Sequence, residues 1–283
     1  MSARVAIVTD STACLPGDTA ERFGVSVVPL RVTLGHRNAI DDGLDVTPAD
    51  VTRVMRRKLP VSTSRPTPAE FAATFRSVLD SGASHIVSVH LSAALSGTWE
   101  SATLAAQDFP HGVVRVVDSR STAMGLGFAV RAAARRAADG GSAAEVQGAA
   151  TDTVDRTRTM FSVDSLDALR RGGRIGTAAA LFATSLAVKP LLQMVEGHIV
   201  PLEKVRTTSR ATARLVELTV AAAGTGPVDL AVHHLAVPER AEALAAQLRA
   251  AIPQAQECHV AEIGAVIGAH LGPGVLGTVL VTG

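Results

Sequence analysis

One alternation constrains the fold of this chain more than any other feature of its sequence. Short runs rich in Val and Ile end in polar loops and lead into amphipathic or Ala-rich runs, again and again through the first half. Residues 4–9, 25–34, 84–90 and 113–117 are the apolar runs, and each reads as a strand. Parallel strands need crossover helices, so the alternation predicts a doubly wound parallel sheet. The core must suit that architecture. Apolar residues make up 47% of the chain but aromatics only 3%, with no Tyr and one Trp. Ala, Val, Leu and Ile therefore fill the interior, as in helices packed on parallel strands.

The punctuation supports the same reading. Thr67 and Glu70 form a capping box with Pro68 at the first helical position, which starts a helix over 69–81. Thr47-Pro48 opens another helix, with Asp50 in its first turn, and Ser142 with Glu145 opens a third. Pro66 and Pro68 force extended backbone, leaving Thr63, Ser64 and Arg65 in a rigid, non-helical segment. A helix follows the 84–90 strand from Gly97 to about Gln107, and a long Ala-rich helix carries Gly125 and Gly127.

The second half changes character. It reads as a strand at 159–163, a short helix at 165–171 stopped by Gly172-Gly173, and an apolar helix from Arg174-Ile175-Gly176 to about 187, ended by Lys189-Pro190. A hairpin of strands 191–195 and 199–205 follows, then helix 209–223, strand 228–233 and helix 238–251. Residues 263–274 read as a glycine-dense turn before a last strand. The expected organisation is a two-domain α/β protein. Residues 1–157 form an N-terminal doubly wound parallel domain, and 158–283 a C-terminal mixed α/β domain.

Composition narrows the function classes. Lys and Arg total 27 against 26 Asp and Glu, and aromatic stacking platforms are absent, so no nucleic-acid partner is expected. No run is apolar enough for a membrane span, and the N-terminus is a strand start rather than a signal peptide. Cys14 and Cys258 lack metal-type spacing and read as buried apolar thiols in a reducing compartment. The expected setting is the cytoplasm. Asp41, Asp42 and Asp45 crowd one turn but lack the EF-hand pattern, so no metal site is assigned.

The loop His90-Leu-Ser-Ala-Ala-Leu-Ser-Gly-Thr98 joins a strand to a helix. Free N–H groups, the helix dipole and the Ser96 and Thr98 hydroxyls suit an anion there, and the same residues also suit ordinary N-cap chemistry. Asp10, at the end of the first strand, either binds a cation or ligand hydroxyl or caps the Asp10–Thr12 turn. His270, in the glycine-dense segment, is a tunable donor or a structural histidine.

Six blocks resemble the DegV family, fatty-acid-binding proteins that serve bacterial fatty acid kinase. They are Ile7-Val-Thr-Asp-Ser-Thr12, Thr63-Ser64 with Pro66-Thr67-Pro68, Leu91-Ser92 with Leu95-Ser-Gly-Thr98, Gly172-Gly-Arg-Ile175, Lys204-Val-Arg-Thr207 and His270-Leu-Gly-Pro-Gly274. The resemblance implies a long-chain, palmitate-like fatty acid between two α/β domains and no other cofactor. Its carboxylate would be held by Thr63 and Ser96, with Ser64 and Gly97 beside them and His270 supporting the head group. Arg174 and Arg206 would lie near the head group or face a kinase. The implied role is that of a carrier rather than an enzyme. A separate fatty acid kinase catalytic subunit would make the acyl phosphate that feeds phospholipid metabolism. The chain departs from the family at Arg65, where Gln is usual, at Ala93, often Ser, and at Trp99-Glu100, where Tyr-Gln is common. A serine hydrolase using Ser96, His270 and Asp10 or Asp118 is the alternative, although the loop lacks the first Gly of a G-x-S-x-G elbow. A nucleotide-binding regulator is a weaker one, since no P-loop or G-x-G-x-x-G stands in the right context.

Overall fold

A computed structural model describes residues 4–175 and 188–283. The described residues of 1–31 and 64–155 make one compact unit, and those of 32–63 and 156–283 make another. The first unit opens with β1 (Val5–Asp10), α1 (Thr19–Arg22) and β2 (Ser26–Val28). The chain then makes an excursion through β3 (Arg31–Leu34), β4 (Arg37–Ile40), α2 (Pro48–Arg56) and β5 (Val61–Ser64). It returns with α3 (Pro68–Asp80), β6 (His85–His90), α4 (Thr98–Ala106), β7 (Val114–Asp118), α5 (Met124–Ala138) and α6 (Ala143–Arg156). The rest is β8 (Thr157–Ser162), α7 (Asp167–Gly172), β9 (Lys189–Val195), β10 (His198–Val205), α8 (Thr208–Ala223), β11 (Val228–His234), α9 (Pro238–Ala251), β12 (Ala255–Glu262), α10 (Ala265–Leu271) and β13 (Leu276–Thr282).

In the first unit the strands run in the order β2-β1-β6-β7, and every pairing is parallel. Val8 and Ile86 face α3 and α4, where Phe71 and Phe75 are wholly buried with Ala102 and Ala105. Strand alternation turns Ile7 and Val87 to the opposite face, where they are also buried; α5 packs on β1 and β6. Strand order reverses between β1 and β6, so their carboxyl ends form the switch point where such sheets hold ligands. In the second unit the order is β10-β9-β8-β13-β11-β12, antiparallel except for β11 with β12. Helices α8 and α9 bury Leu215, Leu244 and Leu248 on this sheet. A three-stranded sheet, β4-β3-β5, completes the elements. Among the described residues no helix is long and apolar enough to cross a membrane.

Local chemistry explains the helix starts. Thr47 and Thr67 each accept a hydrogen bond from the backbone N–H three residues on, and the Asp50 and Glu70 carboxylates accept one from the N–H of the cap residue. Ser142 and Glu145 do the same ahead of α6. Glu70 also binds the Arg31 guanidinium. That contact, reinforced by the Thr67 N–H and hydroxyl, holds the Glu70 carboxyl well below the usual range, at about 2.

Several expectations change. The single strand over 25–34 breaks at Pro29, which has no N–H for a ladder, and its halves β2 and β3 enter different sheets. The excursion 32–63 is grouped with the later part of the chain, so neither unit is the contiguous segment that chain order implies. The 263–274 segment contains a helix, α10, despite its glycines. Strand β12 escapes the apolar pattern because it is a sheet edge of mixed exposure carrying Gln, Glu and His. Lys189-Pro190 begins β9, and the apolar helix expected at 176–187 lies outside the described residues. Both cysteines are half-buried rather than buried.

A carboxyl whose pKa is depressed by folding stabilises the fold above its unfolded value and loses that contribution as pH falls. For Glu70 the window runs from 4.5 down to about 2. Glu70→Gln should be less stable than the parent at pH 7. The gap between their urea midpoints should close as pH falls through that window.

Candidate functional site

At the switch point of the first unit a buried carboxylate fixes the backbone. Asp10 is wholly buried. One of its oxygens accepts from the Thr12 N–H at 3.0 Å and the Thr12 hydroxyl at 2.5 Å. The other accepts from the Leu91 N–H at 3.0 Å and meets His90 Nδ1 at 3.0 Å. His90 Nε2 meets the Ser88 hydroxyl at 2.6 Å, and the Phe71 ring stands edge-on to the imidazole. This is a hydroxyl–imidazole–carboxylate chain, but all three side chains have no solvent exposure, so it serves as a brace. Of the two roles open to Asp10, the turn cap is the one formed.

The brace delivers the chain into the loop that carries Ser96. The Ser92 carbonyl accepts from the Leu95 and Ser96 N–H groups, and the Ser92 hydroxyl from Ala94 N–H. Asp118 accepts from the Ala93 N–H. Gly97 is the N-cap of α4 and offers no side-chain cap; the Ser96 and Thr98 hydroxyls instead bond to each other at 2.9 Å. The Arg65 guanidinium lies directly over Gly97, so close that a β-carbon there would fall 1.7 Å from Nη1. Arg65 donates to the Gly97 carbonyl at 3.2 Å and to Glu100 at 2.7 Å. Arg65 and Glu100 thus neutralise each other.

The second unit holds the other cluster. Thr63, near the end of β5, meets His270 Nε2 at 2.8 Å through its hydroxyl. His270 sits in the last turn of α10, whose first N–H groups, Ala265 and Val266, donate to the buried Asp41 carboxylate at 3.1 and 3.4 Å. The acidic turn 41–45 therefore has structural work. Asp41 caps α10, Asp42 accepts from the Leu44 and Asp45 N–H groups, and Asp45 pairs with Arg37 and the Ile40 N–H. A helix carboxyl end favours a charged imidazole by about 0.3–1 kcal/mol. Burial, helped by the nearby Arg174 charge, outweighs it and lowers the His270 pKa to about 4. The ring is neutral at pH 7. The tautomer with its proton on Nε2 donates to Thr63 and leaves the Thr63 hydroxyl proton free for an acceptor.

Thr63 and His270 open on a cavity of about 850 Å³ lined by the ends of α2, β5, α7 and α10. Gly172 closes one side of the imidazole, where a β-carbon would lie 2.4 Å from His270 Nδ1. Arg174 lines the cavity and donates to the Gly172 carbonyl. Of the residues singled out in the sequence, Thr63, His270 and Arg174 come together here, while Ser96 and Gly97 share the loop before α4. Ser64 ends β5 and is exposed; Arg206 lies exposed between β10 and α8, outside the cavity lining. Arg56, Lys58 and Arg171 line the cavity as well. Sequence reading missed them, and the basic run 56–58 at a helix end was the available signal.

Comparison with known proteins gives a consistent match along the whole chain. The family model described as "Uncharacterised protein, DegV family" matches residues 4–283. A DegV domain-containing protein of Streptomyces coelicolor is 54% identical over 280 residues, covering 99% of each chain. A DegV family protein from Thermus thermophilus, described by its fatty acid binding, superimposes with a TM-score of 0.93 at 35% identity, over 98% of this chain and 99% of that one. DegV of Bacillus subtilis, described as a fatty acid binding protein, gives 0.89 at 31% identity over 99% of each.

The imidazole offers a direct check. The His270 ring resonances should titrate near pH 4 in NMR. In Gly172→Ala the added methyl should push the ring out of its place and move the midpoint up toward 6.5, the ordinary histidine value.

Proposed function

The chain belongs to the DegV family, and on that premise we propose that it binds a long-chain fatty acid and presents the carboxylate to a fatty acid kinase. The observation that carries the reading is the Thr63–His270 pair opening on a cavity of about 850 Å³. A neutral imidazole orients a hydroxyl whose proton is left for a carboxylate oxygen, without a fixed countercharge in contact. The family pattern assigns Ser96, Gly97 and Ser64 to the same head group. Fatty acid binding by the Thermus thermophilus and Bacillus subtilis proteins supports the ligand class. Each buried methylene contributes about 0.8 kcal/mol, so a long acyl chain gains on the order of 10 kcal/mol before ordering costs.

In this reading the chain is a carrier working in the cytoplasm, and a separate ATP-using subunit supplies the phosphoryl group. Arg174 and Arg206 either dock that kinase or neutralise the charge developing on the transferred group. The hydrolase alternative is weaker, because each of its members is engaged elsewhere. Ser96 bonds Thr98, His270 bonds Thr63, Asp10 holds Thr12, His90 and Leu91, and Asp118 holds the Ala93 and Arg120 N–H groups.

Mass spectrometry of lipid extracted from the purified protein should find a long-chain fatty acid in stoichiometric amount. Its absence even after incubation with excess fatty acid would sink the proposal. On delipidated protein, Thr63→Ala and Ser96→Ala should each weaken fatty acid binding by about 1–3 kcal/mol. Their double variant should lose less than the sum, because both act on one carboxylate. The isolated chain should not turn over ATP, and acyl phosphate should form only when a cognate kinase is added.

A further inference from the structure

The glycine at the start of α4 is not required by its backbone. Gly97 has φ −73° and ψ 15°, a conformation open to other residues. The three heavy atoms nearest to where its β-carbon would stand all belong to Arg65, with Nη1 at 1.7 Å, Cζ at 2.7 Å and Cδ at 2.9 Å. Glycine at 97 therefore makes room for a guanidinium.

That guanidinium is held at both ends. The Arg65 backbone runs into the buried Pro66 and the Thr67–Glu70 capping box of α3. Its Nη1 donates to the Gly97 carbonyl at 3.2 Å and to Glu100, in the first turn of α4, at 2.7 Å. Arg65 thus ties the start of α3 to the start of α4. Both bonds use Nη1, and among the described residues Nε and Nη2 have no partner.

The loop beneath it keeps a donor of its own. The Ser96 and Thr98 hydroxyls bond to each other at 2.9 Å, so one proton is spent between them and the second is left for an outside acceptor. An acceptor that takes it lies on the turn of α4 that the Arg65 fork already grips. Glu100 is a partner that such an acceptor can displace. The two side chains of that ion pair are 49% and 61% exposed, and pairs so open to water hold weakly. A carboxylate can accept two parallel bonds from the fork, which an uncharged head of the same shape cannot match.

We propose that Arg65 determines head-group charge at this loop. It exchanges Glu100 for an incoming carboxylate, and so makes the Ser96 position select an anionic head over an uncharged one. This specificity role rests on the fatty-acid reading above.

The test compares palmitate with palmitamide, its uncharged isostere, as ligands of the delipidated full chain. In Arg65→Gln, palmitate affinity should fall by about tenfold, and palmitamide affinity should change by less than about twofold. The variant should melt within about 2 °C of the parent, because an ion pair this exposed adds little stability. In Gly97→Ala the added methyl takes the place of the guanidinium, so palmitate affinity should fall as far as in Arg65→Gln, and the double variant should lose no more than either. Glu100→Gln removes the competing carboxylate and should raise palmitate affinity several-fold, a gain that vanishes in the Arg65→Gln background. Equal losses of palmitate and palmitamide in Arg65→Gln would make Arg65 a purely structural clamp and overturn the proposal. So would unchanged palmitate affinity in Arg65→Gln, or additive losses with Gly97→Ala. A parent that binds neither ligand would instead overturn the fatty-acid reading, and the specificity role with it.

Discussion

A carboxylate with no solvent exposure is costly to bury unless every lone pair finds a donor. Asp10 meets that condition with two backbone N–H groups, a hydroxyl and an imidazole. The donors come from both sides of the topological switch point: Thr12 follows β1, and His90 and Leu91 end β6. The same atoms that satisfy the charge therefore set how the two central strands terminate and where the Ser96 loop begins. Ser92 and Asp118 continue the work by holding the backbone of that loop, so Ser96 is placed by a chain of hydrogen bonds that starts inside the sheet.

The second unit uses the same device. Asp41 caps α10 by accepting from its first N–H groups, and α10 carries His270 at its other end. Gly172 lets the α7 backbone approach the imidazole face where any side chain would collide. Burial then decides the protonation state against the pull of the helix carboxyl end. Thr63 is left beside a ring that stays neutral through the neutral pH range.

Charge is balanced locally around these positions. The Arg65 guanidinium is matched by Glu100.

How much of this was legible in the sequence depended on the range of the interactions. The capping boxes at Thr67 and Ser142, the parallel strands 84–90 and 113–117, and the hairpin at 196–198 are written within a few residues, and periodicity and cap chemistry determine them. The six blocks also contain Thr63, Ser96 and His270. Tertiary structure alone decided the rest. That Asp10 braces β6, that Asp41 caps a helix over two hundred residues later, and that Arg65 lies on Gly97 are contacts between segments remote in sequence. The same is true of the excursion 32–63, which Pro29 permits but does not dictate, and of α10, whose glycines argue locally for a turn. A helix of that composition forms because a distant carboxylate satisfies its first N–H groups and its apolar residues are buried, and neither condition is visible in a local window of sequence.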